Sequence, residues 1–277
     1  MDTFEEILEL ALKEDLRTEG DVTSSAIFNE NRSIALLKSK DTGILAGLPF
    51  FEKVMHRIDP EIQCTFFSKE GAPVAYGDIV AEIAGRTLSI LKAERTAINI
   101  LSFLSGIASK TSLFVSAAKK GGEAVILDTR KTLPGYRGLS KYAVKVAGGK
   151  NHRLGLFDMV MIKDNHIDAA GSITQAVDKV RSAWGSKYKI EVECRSLKDV
   201  EEALKNGVDI IMLDNMSCKE TRAAVQMADG KALCEASGNM DLEKVEKYSS
   251  TGVDYISAGS LTHSVTGFDF SLILKKD

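Results

Sequence analysis

The chain has 277 residues, 44% of them hydrophobic, enough to bury a full core as one large domain or as a barrel with a smaller companion. A formal net charge of −3 excludes a general nucleic-acid binder, which needs a dominant basic face, but leaves room for a local anion pocket. The four cysteines, Cys64, Cys194, Cys218 and Cys234, are scattered without a CxxC pair, which speaks for a reduced, cytoplasmic setting and against zinc.

In chain order, Met1 opens onto an amphipathic helix through Phe4, Ile7, Leu8, Leu10 and Ala11, without the basic and apolar regions of a signal peptide. No later run is expected to reach membrane-spanning length. EDLRTEGDVTSSAIF reads as turns. β-like pieces over Ser33 to Ser39 and Gly43 to Ala46 lead into a helix from Leu48 to Arg57 that Asp59-Pro60 ends. Ile62 to Ser68 and Ile79 to Ile83 complete a mixed α+β lobe with no catalytic constellation of its own. Leu88 to Lys120 follows as a helical pattern, expected as two helices broken near Ser105-Gly106. Within it Arg95 sits beside Glu94, the pattern of a surface ion pair.

The rest alternates. Apolar strand-like runs end at Asp128, Asp164, Cys194, Asp214, Ser237 and Gly259, with helices between them. SCKE after Met216 is a capping box, and Asn206-Gly207, Asp229-Gly230 and Thr251-Gly252 stop helices. NGVDIIMLD and TGVDYISAG echo one another as the same turn-then-strand unit. Repeated β-α units predict a parallel sheet closed into a barrel, which makes the fold class α/β, a βα barrel over residues 111–277 behind an N-terminal α+β lobe over residues 1–110, with the C-terminal tail packing back on that lobe. In such a barrel the C-terminal strand ends share one rim, although strand-end Asp and Asn also serve as helix caps.

Chemistry concentrates in DTRKTLPGYRGLSKYAVKVAGGKNHRLGLFDMVMIKDNHI, Asp128 to Ile167. From Thr129 to Phe157 it carries Arg130, Lys131, Arg137, Lys141, Lys145, Lys150 and Arg153 and no acidic residue. Lys141 and Lys145, four apart, fit the solvated face of a short helix. Arg130, Lys131 and Arg153 fall instead at strand ends and in a Gly-rich turn, where side chains converge on ligands. Arg130, His152, Arg153 and Lys163 form a purely cationic group suited to a small polycarboxylate. Glu193 and Asp214, with the small-residue turns Ser237-Gly238-Asn239 and Ala258-Gly259-Ser260, suit a sugar phosphate, the turns lying at helix starts that cradle phosphate. Lys163 could alternatively be a Schiff-base lysine of a barrel aldolase if burial lowered its pKa, but its cationic neighbours favour carboxylate binding. His152 and His166 with Asp164 could form a metal site, against which the cationic surroundings speak, and His166 reads as a structural hydrogen-bonder. His263 is open between a phosphate contact and a helix-start hydrogen bond.

DTRKTLPG, KYAVKVAGG, NHRLGL and MIKDNHI, in this order and spacing, resemble the quinolinate phosphoribosyltransferases (decarboxylating nicotinate-nucleotide pyrophosphorylases) of NAD synthesis. The resemblance runs from EDL near Asp15 to LTHSV at Leu261 and implies a type II phosphoribosyltransferase-like barrel. It implies that Arg95, Arg130, His152, Arg153 and Lys163 surround quinolinate, Arg95 being supplied by the partner subunit of a homodimer. It also implies that Lys131, Glu193, Asp214, Ser237, Gly238, Gly259 and His263 surround phosphoribosyl pyrophosphate, with Mg²⁺ carried by the pyrophosphate near Glu193 and Asp214. Thr129, Asn239, Ala258 and Ser260 belong to the same rim. Lys131, Glu193 and Asp214 are the expected catalytic residues, and no nucleic acid or membrane partner is expected. Arg195 departs from the family pattern, where an acidic or small residue is expected, and puts the loop after Glu193 in doubt. A related transferase with another aromatic acid acceptor and a non-catalytic phosphate sensor stay open beside the main reading.

Overall fold

In the computed structural model, residues 3–275 are described; Met1, where the reading of the chain's start begins, lies outside them, as does the end of the tail. In chain order the elements begin with α1 (Thr3–Leu16), α2 (Val22–Ile27), β1 (Arg32–Ser39), β2 (Gly43–Ile44), α3 (Leu48–Ile58), β3 (Gln63–Phe66), β4 (Pro73–Val74), β5 (Ile79–Arg86) and α4 (Thr87–Gly121). Then come β6 (Val125–Leu127), α5 (Arg137–Val146), β7 (Val160–Ile162), α6 (Asp164–Ala170), α7 (Ile173–Trp184), β8 (Ile190–Cys194) and α8 (Leu197–Lys205). The chain finishes with β9 (Ile210–Asp214), α9 (Cys218–Ala228), β10 (Leu233–Ser237), α10 (Leu242–Ser249), β11 (Tyr255–Ser257), α11 (Ser260–His263) and β12 (Phe270–Leu274).

Two compact units emerge. The first takes residues 3–110, 133–147 and 265–275; the second takes Thr111–Thr132 and Gly148–Ser264. The break expected at residue 110 recurs in this division, but the segment holding α5, placed in the barrel by sequence, groups with the first unit. Its sheet has the order β12-β1-β5-β3, all antiparallel, so the tail strand β12 joins the first lobe through β1. Phe4, Leu8, Leu37, Phe51, Met55, Leu101, Leu104, Leu139 and Val144 fill its core. Burying each large side chain removes apolar surface worth roughly 1.5–3 kcal/mol.

Several local expectations change. GDVTSS forms α2 rather than turns, because Asp21 accepts the Ser24 N–H at 2.8 Å and caps it. The apolar face of α1 buries Phe4, Ile7 and Leu8 as expected and continues to Leu12, leaving Leu10 exposed. Lys141 is buried rather than solvated, since α5 also buries its neighbours Leu139, Ser140, Ala143 and Val144. The expected break near Ser105-Gly106 is absent: α4 is one 35-residue helix. It is also long and apolar enough by composition to cross a membrane, contrary to the sequence reading, but 56% of its most apolar window is buried inside the protein. Ser105 explains itself by donating to the Ala46 carbonyl (3.1 Å) and accepting the Ala46 N–H (3.0 Å). Gly106 explains itself by contact, because a Cβ there would run into the Thr266 carbonyl oxygen.

The second unit is a six-stranded parallel sheet in the order β6-β11-β10-β9-β8-β7 with helices between its strands, a barrel-like α/β domain. Ile162, Val192, Leu213, Ala236 and Ile256 belong to its core. The ring is not closed by strand pairing between β6 and β7 among the described residues. The edge of β6 is met instead by one parallel bridge to Lys150, whose N–H reaches the Ile126 carbonyl (2.8 Å) while its carbonyl takes the Asp128 N–H (3.2 Å). That substitution of irregular chain for a strand carries His152 and Arg153 to the open side of the barrel. The capping box Ser217 to Glu220 is present on α9 as expected.

Helix propensity alone makes Gly106→Ala stabilising by about 1 kcal/mol. The Thr266 backbone cannot yield like a side chain, so the substitution is expected to cost about 1–3 kcal/mol in urea unfolding. A gain in stability would contradict the packing described.

Candidate active site

The second unit contains a cavity of about 810 Å³ at the C-terminal ends of its strands. The pleat explains who faces it: alternate residues share a face, so Glu191 and Glu193 on β8 point one way, as do Met212 and Asp214 on β9. The structure brings together Thr129, Arg130, Lys131, His152, Arg153, Lys163, Glu193, Asp214, Ser237, Gly238, Asn239, Gly259, Ser260 and His263 as lining residues. Two expected residues are elsewhere. Ala258 is 2% exposed and uses its N–H on the Leu127 carbonyl at 3.0 Å, so it serves the sheet rather than the cavity. Arg95 lies on the first unit's part of α4, with its side chain exposed and 3.7 Å from Glu94, the ion pair that the sequence suggested.

The cationic group is not purely cationic. Lys163 Nζ donates to Glu193 Oε2 at 3.0 Å, so one carboxylate of the rim already answers one ammonium. Arg153 is held by its own segment, Nη1 donating to the Met159 carbonyl (3.1 Å) and Nη2 lying 3.6 Å from Met161 Sδ. Burial and then the neighbouring Arg130 charge lower its affinity for a proton, which marks two guanidiniums forced into one half-buried space. An arriving dianion relieves that repulsion.

His152, one of the lining residues, also carries bonds that run back into the protein. Its Nδ1 accepts the Arg153 N–H at 2.7 Å, and its Nε2 lies 3.0 Å from Glu191 Oε2 and 3.5 Å from Glu235 Oε2. Both ring nitrogens are therefore engaged within the protein. Burial opposes charge on the ring, but hydrogen bonding to Glu191 and Glu235 outweighs it and pushes His152 up to about 10, while burial raises Glu191. Because Nδ1 accepts the Arg153 N–H, the ring proton sits on Nε2, and the further proton that these surroundings draw in is held on Glu191, whose burial favours its neutral form.

The sugar-phosphate side follows its backbone. Asn215 and Asn239 have positive φ (54° and 43°), and Gly238 at φ 115° leaves no room for a Cβ beside the Asn215 amide. The Ser237-Gly238-Asn239 turn, expected at a helix start, does not open one: α10 begins at Leu242, and Asp241 caps it by accepting the Lys244 N–H. Thr262 Oγ1 donates to the Lys131 carbonyl at 2.8 Å, tying the Lys131 loop to α11. A Cβ on Gly259 would crowd Lys131 Cδ at 2.9 Å. His263 meets Ser264 Oγ at 2.7 Å, and His166 Nδ1 accepts the Lys163 N–H at 2.9 Å, a structural bond as expected. The ligating atoms that lie close together around His152 belong to Glu191 and Glu235, and neither His166 nor Asp164 is among them. Arg195, the departure from pattern, lies 3.5 Å from Asp168 and outside the lining residues.

Sequence reasoning did not single out Met161, Met212, Met240 and Ser257, which also line the cavity, as does Asn215, read from the sequence only as a strand-end residue on the rim. The methionines carried no signal, being indistinguishable from core residues.

The family model described as "Quinolinate phosphoribosyl transferase, C-terminal domain" matches residues 107–273, and its N-terminal counterpart matches residues 21–105. The chain is 41% identical over 259 residues to a Bacillus subtilis protein named "Probable nicotinate-nucleotide pyrophosphorylase [carboxylating]", covering 94% of this chain and 89% of that one. It is 40% identical over 288 residues to a Nicotiana tabacum protein named as a mitochondrial decarboxylating quinolinate phosphoribosyltransferase, covering 97% and 81%. The solved structure of NadC from Streptococcus pyogenes superposes with a TM-score of 0.94 at 41% identity, covering 99% of this chain and 97% of that one.

With two guanidiniums and an ammonium on one wall, the cavity is expected to bind an aromatic dicarboxylate such as phthalate, less tightly as salt rises from about 0.05 to 0.5 M. Calorimetry on the wild type and on Lys163→Ala measures this. Binding indifferent to both salt and Lys163 would contradict the electrostatic reading.

Proposed function

The chain belongs to the quinolinate phosphoribosyltransferase family, and from that membership we infer that Arg130, Arg153 and Lys163 seat quinolinate beside phosphoribosyl pyrophosphate. The reaction is decarboxylating phosphoribosyl transfer in NAD biosynthesis, giving nicotinate mononucleotide, CO₂ and pyrophosphate. One observation supports the seat above the others: cations from three separate segments line one cavity that also holds Glu193 and Asp214. Forked guanidiniums match carboxylates in pairs, and the ammonium adds a compact charge.

Seated this way, the pyridine nitrogen attacks the anomeric carbon while the bond to pyrophosphate breaks. Positive charge grows on the ribose, and Glu193 and Asp214 stabilise it as fixed negative groups. Lys131, tethered through its carbonyl to Thr262, offsets charge on the departing pyrophosphate. The product pyridinium then takes up the electron pair of the breaking ring–carboxylate bond, CO₂ leaves, and a proton replaces it on carbon. Shielding suffices for that step, so no nucleophilic side chain is assigned. Oxygen donors suit Mg²⁺, and Asp214 is the carboxylate that would hold it, Glu193 being engaged by Lys163. When bound, Mg²⁺ supplies charge neutralisation for pyrophosphate.

The Schiff-base reading of Lys163 loses ground, because its ammonium is ion-paired with Glu193 rather than enclosed among apolar groups. Exposed Arg95 fits delivery into the cavity of a second copy, and a homodimer is part of the proposal. The free state of all four cysteines favours a cytoplasmic location.

Purified protein given quinolinate, phosphoribosyl pyrophosphate and Mg²⁺ is expected to release CO₂ and nicotinate mononucleotide in equal amounts; product without CO₂, or none from folded protein, would sink the reading. Arg130→Ala is expected to raise the quinolinate KM about 10-fold or more, with far less effect on that of phosphoribosyl pyrophosphate. Equal shifts would contradict a divided cavity. Mixing Arg95→Ala and Arg130→Ala proteins at a quinolinate concentration well below their raised KM values, with subunit exchange verified, is expected to restore part of the activity, whereas exchange without recovery would place Arg95 outside the site.

A further inference from the structure

Beneath the lining of the cavity lie two carboxylates that its chemistry does not use. Glu191 and Glu235 are fully buried, and neither lines the cavity. They come from β8 and β10, two strands that do not pair with each other, and meet on one atom, His152 Nε2. A third buried carboxylate, Asp128, accepts the His152 backbone N–H at 3.0 Å. Stability does not require such a cluster. Buried ionic groups are often replaced by apolar residues of similar volume with no loss. Something else must be gained from holding one imidazole so firmly.

The other side of the ring shows what is held. Nδ1 accepts the N–H of Arg153, and that residue's guanidinium reaches the cavity beside Arg130. Arg153 sits in irregular chain, where no strand ladder fixes its backbone; the imidazole supplies the missing partner. We propose that Glu191 and Glu235 are positioning residues which, by gripping His152, hold Arg153 at the carboxylate-binding wall. Arg153 as a ligand for the acid is taken from the reading above, and the inference rests on that reading. His152, itself at the cavity wall, then links the two buried carboxylates to the Arg153 backbone, with its tautomer fixed as Nε2–H.

Substitutions that keep or remove the acceptor separate positioning from bulk packing. Glu191→Met fills similar space without an oxygen and is expected to raise the quinolinate KM about 10- to 100-fold, the scale of a small misplacement, while the phosphoribosyl pyrophosphate KM stays within about 2-fold. Glu191→Gln retains an acceptor and is expected to recover most of that loss; Glu235→Met and Glu235→Gln repeat the pattern. Equal rises in both KM values, or Gln behaving like Met, would overturn the inference. In the wild type, which needs no variant to fold, ¹⁵N-histidine NMR is expected to show one ring protonated at Nε2 alone and lost on His152→Asn. A His152 signal protonated at Nδ1, or a stoichiometric metal bound there, would overturn it. If the wild type does not turn over quinolinate, the inference falls with its premise; normal wild-type turnover with unmoved Met variants removes the inference alone.

Discussion

The structure is organised around the juxtaposition of Arg130 and Arg153 in a half-buried space. Burial and the neighbouring Arg130 charge both act against the charged form of Arg153, so like charges meet where water screens them less. The surrounding structure answers that cost at fixed places. Arg153 is anchored to the Met159 carbonyl, Lys163 is paired with Glu193, and three buried carboxylates converge on His152. In the proposed function a dianionic acid completes the balance of these charges.

The barrel topology makes this possible through its incomplete ring. A strand between β6 and β7 would carry its backbone groups into ladders and its side chains into alternate faces. Irregular chain at that edge keeps only the Lys150 bridge and frees His152 and Arg153 to face the interior from the same segment. Packing such a segment demands partners for its polar groups, and Asp128, Glu191 and Glu235 provide them. Fold and site are thus linked by one requirement, the satisfaction of buried backbone and imidazole groups.

Much of this was legible before any coordinates. Strand-end polar residues marked the rim because alternating β-α units have only one such edge, and Arg130, Lys131, Lys163, Glu193 and Asp214 were all found by that rule. Helix ends at Asn206, Asp229 and Thr251 were readable from glycine's tolerance of left-handed backbone. What sequence could not supply was the partner of each charge. His152 looks like one more cation beside Arg153 until the registers of β8 and β10 bring Glu191 and Glu235 beneath it. Lys141 looked solvated because helical periodicity does not reveal what packs on the far side. Gly106 looked like a break because the close approach of Thr266 is a contact across 160 residues of chain.

The division of labour described here also separates what binds from what reacts. On the proposed reading the acid is held by the cations, the sugar phosphate by the small-residue turns, and bond breaking is left to charge developing in the substrates. A co-crystal structure with quinolinate tests this most directly. Its ring carboxylates should lie within hydrogen-bonding reach of Arg130, Arg153 and Lys163, with His152 still turned toward Glu191. Quinolinate bound elsewhere in the cavity, or a His152 ring swung out to meet it, would contradict the central claim.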